Sequence, residues 1–119
     1  MSPTDRTRLQ HMAEAARAAI GFCAGRSQAD LDTDPMLRMA VLHAVQIIGE
    51  AAGRVSEAGR AAAPAIEWPV VVGMRNRLVH AYFDIDTAIV WLTVTQKLPE
   101  LLQALRALPG VDDSPESLS

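Results

Sequence analysis

Apolar residues recur every three or four positions along most of the chain, and this spacing predicts helices. The clearest helix is expected from Asp34, which would cap it, to about Gly59, with Pro35 at the first helical position. Its apolar stripe is long and regular, and comprises Leu37, Val41, Ala44, Ile48, Ala51 and Val55. A stripe of this kind faces a hydrophobic core, so this helix should be a central element of the fold.

The N-terminal part of the chain predicts one long helix and one short one. The long helix should begin at about Pro3 or Thr4 and end at about Ala24. Ser27 and Asp30 have the spacing of a capping box, which predicts a short turn of helix after the first.

The C-terminal half predicts two more helices. Residues 69–81 should form one of them, and Asp84 or Asp86 should cap the next, which runs to about Leu108. Pro99 lies inside that last helix and should kink or split it just before the proline, because a prolyl residue has no N–H and its ring clashes with the preceding turn.

These elements predict an all-α fold, a four- to five-helix up-and-down bundle. The valines at 70–72 are β-branched, but one short strand would have no partner elsewhere in the chain. Residues 1–110 should therefore form a single helical domain, and the polar residues 111–119 a flexible acidic tail.

Composition restricts the class of protein. The chain has 119 residues, half of them hydrophobic, which is enough for one core. The apolar runs are too short to cross a bilayer and the start does not have the layout of a signal peptide, so a cytoplasmic protein without a membrane segment is expected. The single cysteine, Cys23, allows no internal disulfide and no cysteine-cluster metal site, so we expect a core or interface thiol.

The distribution of charge is uneven. The net charge of −3 is unusual for a protein that binds nucleic acid autonomously. Between Glu67 and Asp84, however, Arg75, Arg77 and His80 occur without any acidic residue. A local positive pocket on an acidic body suits an enzyme that contacts RNA transiently, and equally a protein that binds a partner through charge.

The candidate chemistry lies in residues 73–82, which read Gly-Met-Arg-Asn-Arg-Leu-Val-His-Ala-Tyr. Cleavage of RNA without a metal needs a base for the 2′-hydroxyl proton, an acid for the leaving 5′ oxygen and positive charge on the phosphoryl oxygens. His80 is suited to the first two roles and Arg75 to the third. Asn76 is a candidate to hydrogen-bond the imidazole or a phosphate oxygen, and Arg77 is either a second phosphate contact or a solvated charge.

Helical geometry constrains how these side chains meet. In a continuous helix Asn76 and His80 would share a face, whereas Arg75 would lie about 140° away from His80 around the axis. Either Arg75 reaches across with its long side chain, or the helix ends near His80. The caps at Asp84 or Asp86 favour the second possibility.

The order Arg75, Asn76, three residues, His80, one residue, Tyr82 resembles the signature of HEPN-domain ribonucleases, and more narrowly of HepT-type toxins. The surrounding sequence resembles the same family at matching spacing, in the segments 47–51, 64–74 and 82–86. The resemblance covers about residues 4–108. It implies a HEPN-like bundle whose catalytic residues are Arg75 and His80.

The resemblance also implies a mode of action and of control. It implies cleavage without a metal or other cofactor, by a homodimer that brings both copies of the motif to one cleft. It further implies a type VII toxin–antitoxin system, in which a minimal, MntA-like nucleotidyltransferase antitoxin silences the toxin by adding AMP to Tyr82. One credible histidine per chain, where both an acid and a base are needed, independently favours the dimer.

Other interpretations use the same residues. The motif would serve equally in a non-catalytic helical dimerisation or interaction module that binds a nucleotidyltransferase, with Arg75 and His80 as a helix-end cap and interface ion pair. Tyr82 would then be a packing residue. A nucleotide-binding regulatory domain has little support because no glycine-rich phosphate loop is present.

The remaining polar and aromatic residues are expected to be structural. Glu50 should pair with Arg54, one turn further along its helix. His11 and His43 are expected at the surface or in the core. Both tryptophans, Trp68 and Trp91, are expected in the core.

Overall fold

The computed structural model describes residues 1–81 and 84–111, including the side chains of residues 1–79 and 84–111. Most of these residues are helical. The elements in chain order are α1 (Pro3–Cys23), α2 (Gln28–Thr33), α3 (Pro35–Gly53), α4 (Glu57–Ala61), α5 (Trp68–Val72), α6 (Met74–Leu78), β1 (Val79–Ala81), β2 (Asp84–Ile85), α7 (Thr87–Leu92), a π-helical segment (Thr93–Lys97) and α8 (Leu98–Arg106). The predicted all-α class is confirmed, although several of the expected helices are divided.

Helices α1 and α3 pack together and run in opposite directions. At one end, the carboxylate of Asp5 near the start of α1 accepts hydrogen bonds from the backbone N–H (2.9 Å) and the hydroxyl (2.6 Å) of Ser56, just beyond α3. At the other end, Arg26 just beyond α1 donates to Asp34, the cap of α3, at 2.9 Å. Because each contact joins the end of one helix to the start of the other, the pair is antiparallel.

The core lies between these two helices and α8. All six residues of the stripe predicted on α3 are buried. The buried face of α1 is rich in alanine, whose small side chain lets helices approach closely. Larger apolar side chains from α1 and α8 fill the remaining space, among them Leu9, Met12, Leu98, Leu102 and Leu105.

Most of the predicted caps are found. Asp34 and Asp86 cap α3 and α7 through their side chains, and Ser27 and Asp30 form the expected capping box. The cap of α1 is Ser2, one residue before the predicted start. These signals are local, which is why the sequence reports them accurately.

The central helix was predicted too long. It ends at Gly53 instead of near Gly59, and Ser56 begins the separate short helix α4. The hydroxyl oxygen of Ser56 accepts the N–H of Gly59 at 3.1 Å, while the N–H of Ser56 donates to Asp5. That N–H is therefore not available to continue α3, and the partner that takes it lies far away in the sequence.

The helix predicted over residues 69–81 is divided and ends early. Residues 70–72 are helical, as expected, but the chain breaks at Gly73 and α6 ends at Leu78. The next residues form β1, which pairs antiparallel with β2. The prediction was wrong here because a strand this short exists only through its partner, and strands of three and two residues are too short to show an alternating pattern.

The last helix is split close to the predicted position. Between α7 and α8 the chain widens into a π-helical segment, and the N–H of Leu98 bonds to the carbonyl of Thr93, five residues back. Pro99 follows at the second position of α8, and because it has no N–H it cannot donate a hydrogen bond to the preceding turn. The expected disruption near Pro99 is confirmed.

Two findings concern the class of protein. None of the helices in the described part of the chain combines the length and apolar character of a membrane span. Among the side chains that the structure describes, no group of three His, Cys, Asp or Glu residues is arranged to hold a metal ion. The tail predicted at 111–119 lies, apart from Val111, outside the described residues and stays a prediction.

Candidate active site

Helix α6 presents three polar side chains to solvent. Arg75, Asn76 and Arg77 are all exposed. Met74 and Leu78, four residues apart on one helical face, are buried in the core. The apolar face of α6 therefore anchors the helix in the core, and the polar residues of the motif remain accessible from solvent.

The chain leaves the helix just before His80. The backbone of His80 lies in β1, next to Val79, which is paired with Ile85 of β2. Of the two expected arrangements, the one in which the helix ends near His80 is found. Asn76 and His80 consequently do not share a helical face. The side chain of His80, and all of Tyr82, lie outside the described residues.

Arg75 lies at a pocket of about 540 Å³. We call it the α3–α6 pocket, since α3 and α6 contribute to its wall together with α2 and the two strands. Its lining residues are Asp32, Arg38, Met39, Leu42, His43, Gln46, Arg75, Val79, Ile85 and Thr87. A cavity of this volume is in the range that binds small molecules or single building blocks of a polymer.

The charged side chains of this pocket differ in whether they already have a hydrogen-bond partner among the described residues. Arg38 donates to the backbone carbonyls of Leu31 at 2.6 Å and Asp32 at 3.3 Å, which fixes its guanidinium at one edge. The Asp32 carboxylate accepts a hydrogen bond from the hydroxyl of Thr87 at 2.6 Å. Arg75, in contrast, makes no hydrogen bond or ion pair with any residue that the structure describes. Its guanidinium is thus available to an external anion.

Arg77 faces a different cavity. It lines a groove of about 250 Å³ between α5, α6, α7 and α8, together with Lys97 and mainly apolar residues. Asn76 lines neither cavity. The structure therefore separates Arg77 from Arg75, and a joint role of the two arginines on one phosphate stays a prediction.

The three polar residues of α3 that line the pocket were not assigned a functional role from the sequence. Arg38, His43 and Gln46 come from the exposed side of α3 and reach the site only because α3 packs beside α5 and α6. Their one sequence signal is a spacing of five and then three residues, which places them on neighbouring turns of one helix.

On the same helix, the partner of Glu50 differs from the one expected. Its carboxylate accepts a hydrogen bond from the side-chain amide of Gln46 at 3.1 Å. The expected ion pair with Arg54 is not present among the described residues. Arg54 follows the last turn of α3 and its backbone forms the cap there, which is outside the regular i,i+4 geometry.

The other singled-out side chains are structural. Cys23 is a free thiol buried in the core, and burial raises its pKa above the usual value, which disfavours the reactive thiolate. Trp68 is buried, with its indole N–H donating to the carbonyls of Arg60 and Ala63. Trp91 is partly buried against the core. The expected core positions of Cys23 and Trp68 are confirmed, whereas Trp91 lies at the edge of the core.

A comparison with known families decides the family of this chain. The model of the HepT-like ribonucleases matches residues 12–108, which include every residue lining the α3–α6 pocket. The chain belongs to this family. No solved structure matches it significantly.

Individual relatives of this HepT-like ribonuclease agree with the family match. A protein of Caldanaerobacter subterraneus subsp. tengcongensis named "Putative RNase" is 30% identical over 105 residues, which are 88% of this chain and 94% of the relative. A protein of Thermococcus cleftensis named "Probable ribonuclease HepT" is 33% identical over 93 residues, 78% of this chain and 84% of the relative. A "Putative RNase" of Methanocaldococcus jannaschii is 33% identical over 93 residues, 78% of this chain and 85% of the relative.

Proposed function

We propose that this HepT-like ribonuclease is the metal-independent endoribonuclease toxin of a type VII toxin–antitoxin system. The observation that carries the proposal is the exposed guanidinium of Arg75, which has no partner among the described residues and lies at a pocket of nucleotide size, five residues before His80, whose backbone lies in β1. Membership of a ribonuclease family supports RNA as the substrate.

The proposed chemistry is a transfer within the RNA strand. The His80 imidazole takes the proton of a 2′-hydroxyl, whose oxygen attacks the neighbouring phosphorus. The bond from phosphorus to the 5′ oxygen breaks, and an imidazolium returns a proton to that oxygen. Arg75 stabilises the negative charge that accumulates on the phosphoryl oxygens, and Asn76 orients the imidazole or the phosphate. The products are a 2′,3′-cyclic phosphate and a 5′-hydroxyl.

We propose that the active form is a homodimer. A single chain offers one histidine in the motif, whereas the reaction uses one base and one acid, so two copies of His80 across a two-fold axis would supply both. Light scattering at micromolar concentration should give twice the chain mass, and a monomer that still cleaves RNA would refute the composite site.

We further propose control through Tyr82, which follows His80 by two residues. AMP attached there by an MntA-like nucleotidyltransferase would place bulk and negative charge near Arg75, where they compete with the substrate phosphate. Incubation with the cognate enzyme and ATP should add roughly 329 Da per AMP group and abolish cleavage. Tyr82→Phe should cleave RNA normally and escape silencing; AMP found on another residue would exclude this mode of control.

The catalytic proposal is tested by cleavage of cellular RNA in EDTA. The parent protein should cleave, and His80→Ala should cleave at least about 10²-fold more slowly because it lacks the proton-transfer group. His11→Ala is the matched control, since His11 is an exposed histidine on α1 that does not line the pocket. Partner binding without any RNA cleavage by the parent would instead support a non-catalytic interaction module.

A further inference from the structure

We infer that the α3–α6 pocket is a nucleotide-binding subsite, in which His43 and Gln46 contact the base of the RNA nucleotide next to the phosphate held by Arg75. This inference rests on the proposed ribonuclease function and adds to it the residues that determine which RNA positions are cut.

The solvent-facing side of α3 has the composition of a base-binding surface. Met39, Leu42, His43 and Gln46 follow the spacing of three and four residues that places side chains on one helical face. All four line the pocket, opposite to the core-facing stripe of the same helix. Met39 is 61% exposed although apolar, and Leu42 is partly buried. An unstacked base has two apolar faces that such side chains can cover.

Two polar side chains beside this apolar surface are suited to the edge of a base. The amide nitrogen of Gln46 donates to Glu50 at 3.1 Å, which orients the amide and leaves its oxygen as an acceptor. The imidazole of His43 is exposed and has no hydrogen bond to any residue that the structure describes. An amide and an imidazole together offer donors and acceptors of the kind found on base edges.

Charge favours a nucleic acid over a protein in this pocket. Arg38 is held at one edge through its bonds to backbone carbonyls, and Arg75, at the wall formed by α6, has no hydrogen bond or ion pair with the residues that the structure describes. The one carboxylate of the lining, Asp32, already accepts the hydroxyl of Thr87. Two guanidinium groups flanking an apolar surface complement a chain in which bases alternate with phosphates, on a protein whose net charge is −3.

The inference is tested with two single variants, His43→Ala and Gln46→Ala, on short single-stranded RNAs that differ in the base beside the cleavage position. Each variant should raise KM about tenfold, the loss expected for one base contact, with kcat unchanged within about twofold. The difference in KM between the RNAs should become smaller. His11→Ala and Gln103→Ala are matched controls, because both residues are exposed and lie outside the pocket.

A binding measurement keeps this test separate from the test of catalysis. Fluorescence anisotropy with a 2′-O-methyl RNA, which cannot be cleaved, should show about tenfold weaker binding by both variants than by the parent and the controls. If the parent cleaves RNA but neither variant changes KM, binding or base preference, the subsite is refuted and the ribonuclease proposal stands.

Two other outcomes would also overturn the inference. A fall in kcat as large as that of His80→Ala would place His43 in the chemistry itself rather than in recognition. A change in mass by light scattering for either variant would show that this face of α3 is a contact between copies of the chain. If the parent fails to cleave, the anisotropy result alone decides whether the pocket binds RNA.

Discussion

The pair formed by α1 and α3 differs from the segment of residues 68–87 in how its polar groups are used. Around α1 and α3 the helices are long, and the buried carboxylate of Asp5 accepts two hydrogen bonds from Ser56. In residues 68–87 the elements are at most six residues long within the described part, and the guanidinium of Arg75 is exposed and has no partner among the described residues. Satisfied polar groups stabilise a fold, whereas an unsatisfied cation at a pocket is available to bind an anion.

We therefore expect the residues that determine stability and those that determine activity to lie in different parts of the molecule. Substitutions between α1 and α3 should change the free energy of unfolding, and substitutions of exposed residues on α6 should change cleavage while the protein stays folded. The following predictions test the first half of that comparison, with the expected change in stability decreasing from one to the next.

The largest effect on stability is expected for Ile48→Ala, a fully buried position of α3. Removing the side chain leaves a cavity, and the free energy of unfolding should fall by about 2–5 kcal/mol. Met36→Ala, on the same helix but 84% exposed, should change it by less than about 0.5 kcal/mol. Urea unfolding at one fixed protein concentration measures both, and equal losses would contradict the assignment of the core.

An intermediate effect is expected for Gly59→Ala at the contact between α1 and α4. A Cβ at Gly59 would lie 2.6 Å from the Oδ2 atom of Asp5 and 2.8 Å from a methyl carbon of Val55. The contact between Asp5 and Ser56, which we call the latch, must therefore shift. The expected cost is about 1–3 kcal/mol.

Gly53→Ala is the matched control for Gly59→Ala, because a Cβ there meets nothing within 4 Å. It should be neutral or stabilising by up to about 1 kcal/mol, since alanine is the better helix former. A Gly59→Ala protein that melts at the temperature of the parent would show that the contact between Asp5 and Ser56 is loose.

The smallest effect is expected for Asp5→Asn, and it should depend on pH. Hydrogen bonds from the backbone and then the side chain of Ser56 hold the pKa of Asp5 below its ordinary value of 3.8. A lowered pKa in the folded state stabilises the protein above pH 3.8, and this contribution is lost as the pH falls through the folded-state pKa.

The thermal midpoint of the parent should accordingly exceed that of Asp5→Asn at neutral pH, with a difference that shrinks below pH 3.8. The ion pair between Arg26 and Asp34, in which the Arg26 guanidinium lowers the pKa of Asp34, is common to both proteins and cancels. A difference that stays constant down to about pH 2 would mean that the charge of Asp5 is not what stabilises the latch.

The sequence predicted the parts of the fold that depend on neighbouring residues. The caps at Asp34 and Asp86 and the disruption at Pro99 are local effects, and all three are found. The end of α3 was missed because it depends on Asp5, far away in the sequence. The strands at residues 79–81 and 84–85 were missed because they are too short to show an alternating pattern.

The candidate site divides in the same way. Arg75 and His80 were proposed as candidates from the motif, since their spacing along the chain carries the chemical signal. Arg38, His43 and Gln46 were not, because only the packing of α3 near α6 brings them to the pocket. Their spacing places them on one helix, but nothing in a single sequence shows that this helix packs beside α6.

The most direct test of the proposed site is the rate of RNA cleavage by Arg75→Ala, measured in EDTA alongside its thermal midpoint. Arg75 is exposed and unpaired among the described residues, so its loss should leave stability unchanged and slow cleavage by at least about 10²-fold. Arg54→Ala, an exposed arginine outside the pocket, should cleave like the parent. A folded Arg75→Ala protein that cleaves at the rate of the parent would contradict the assignment of this pocket as the active site.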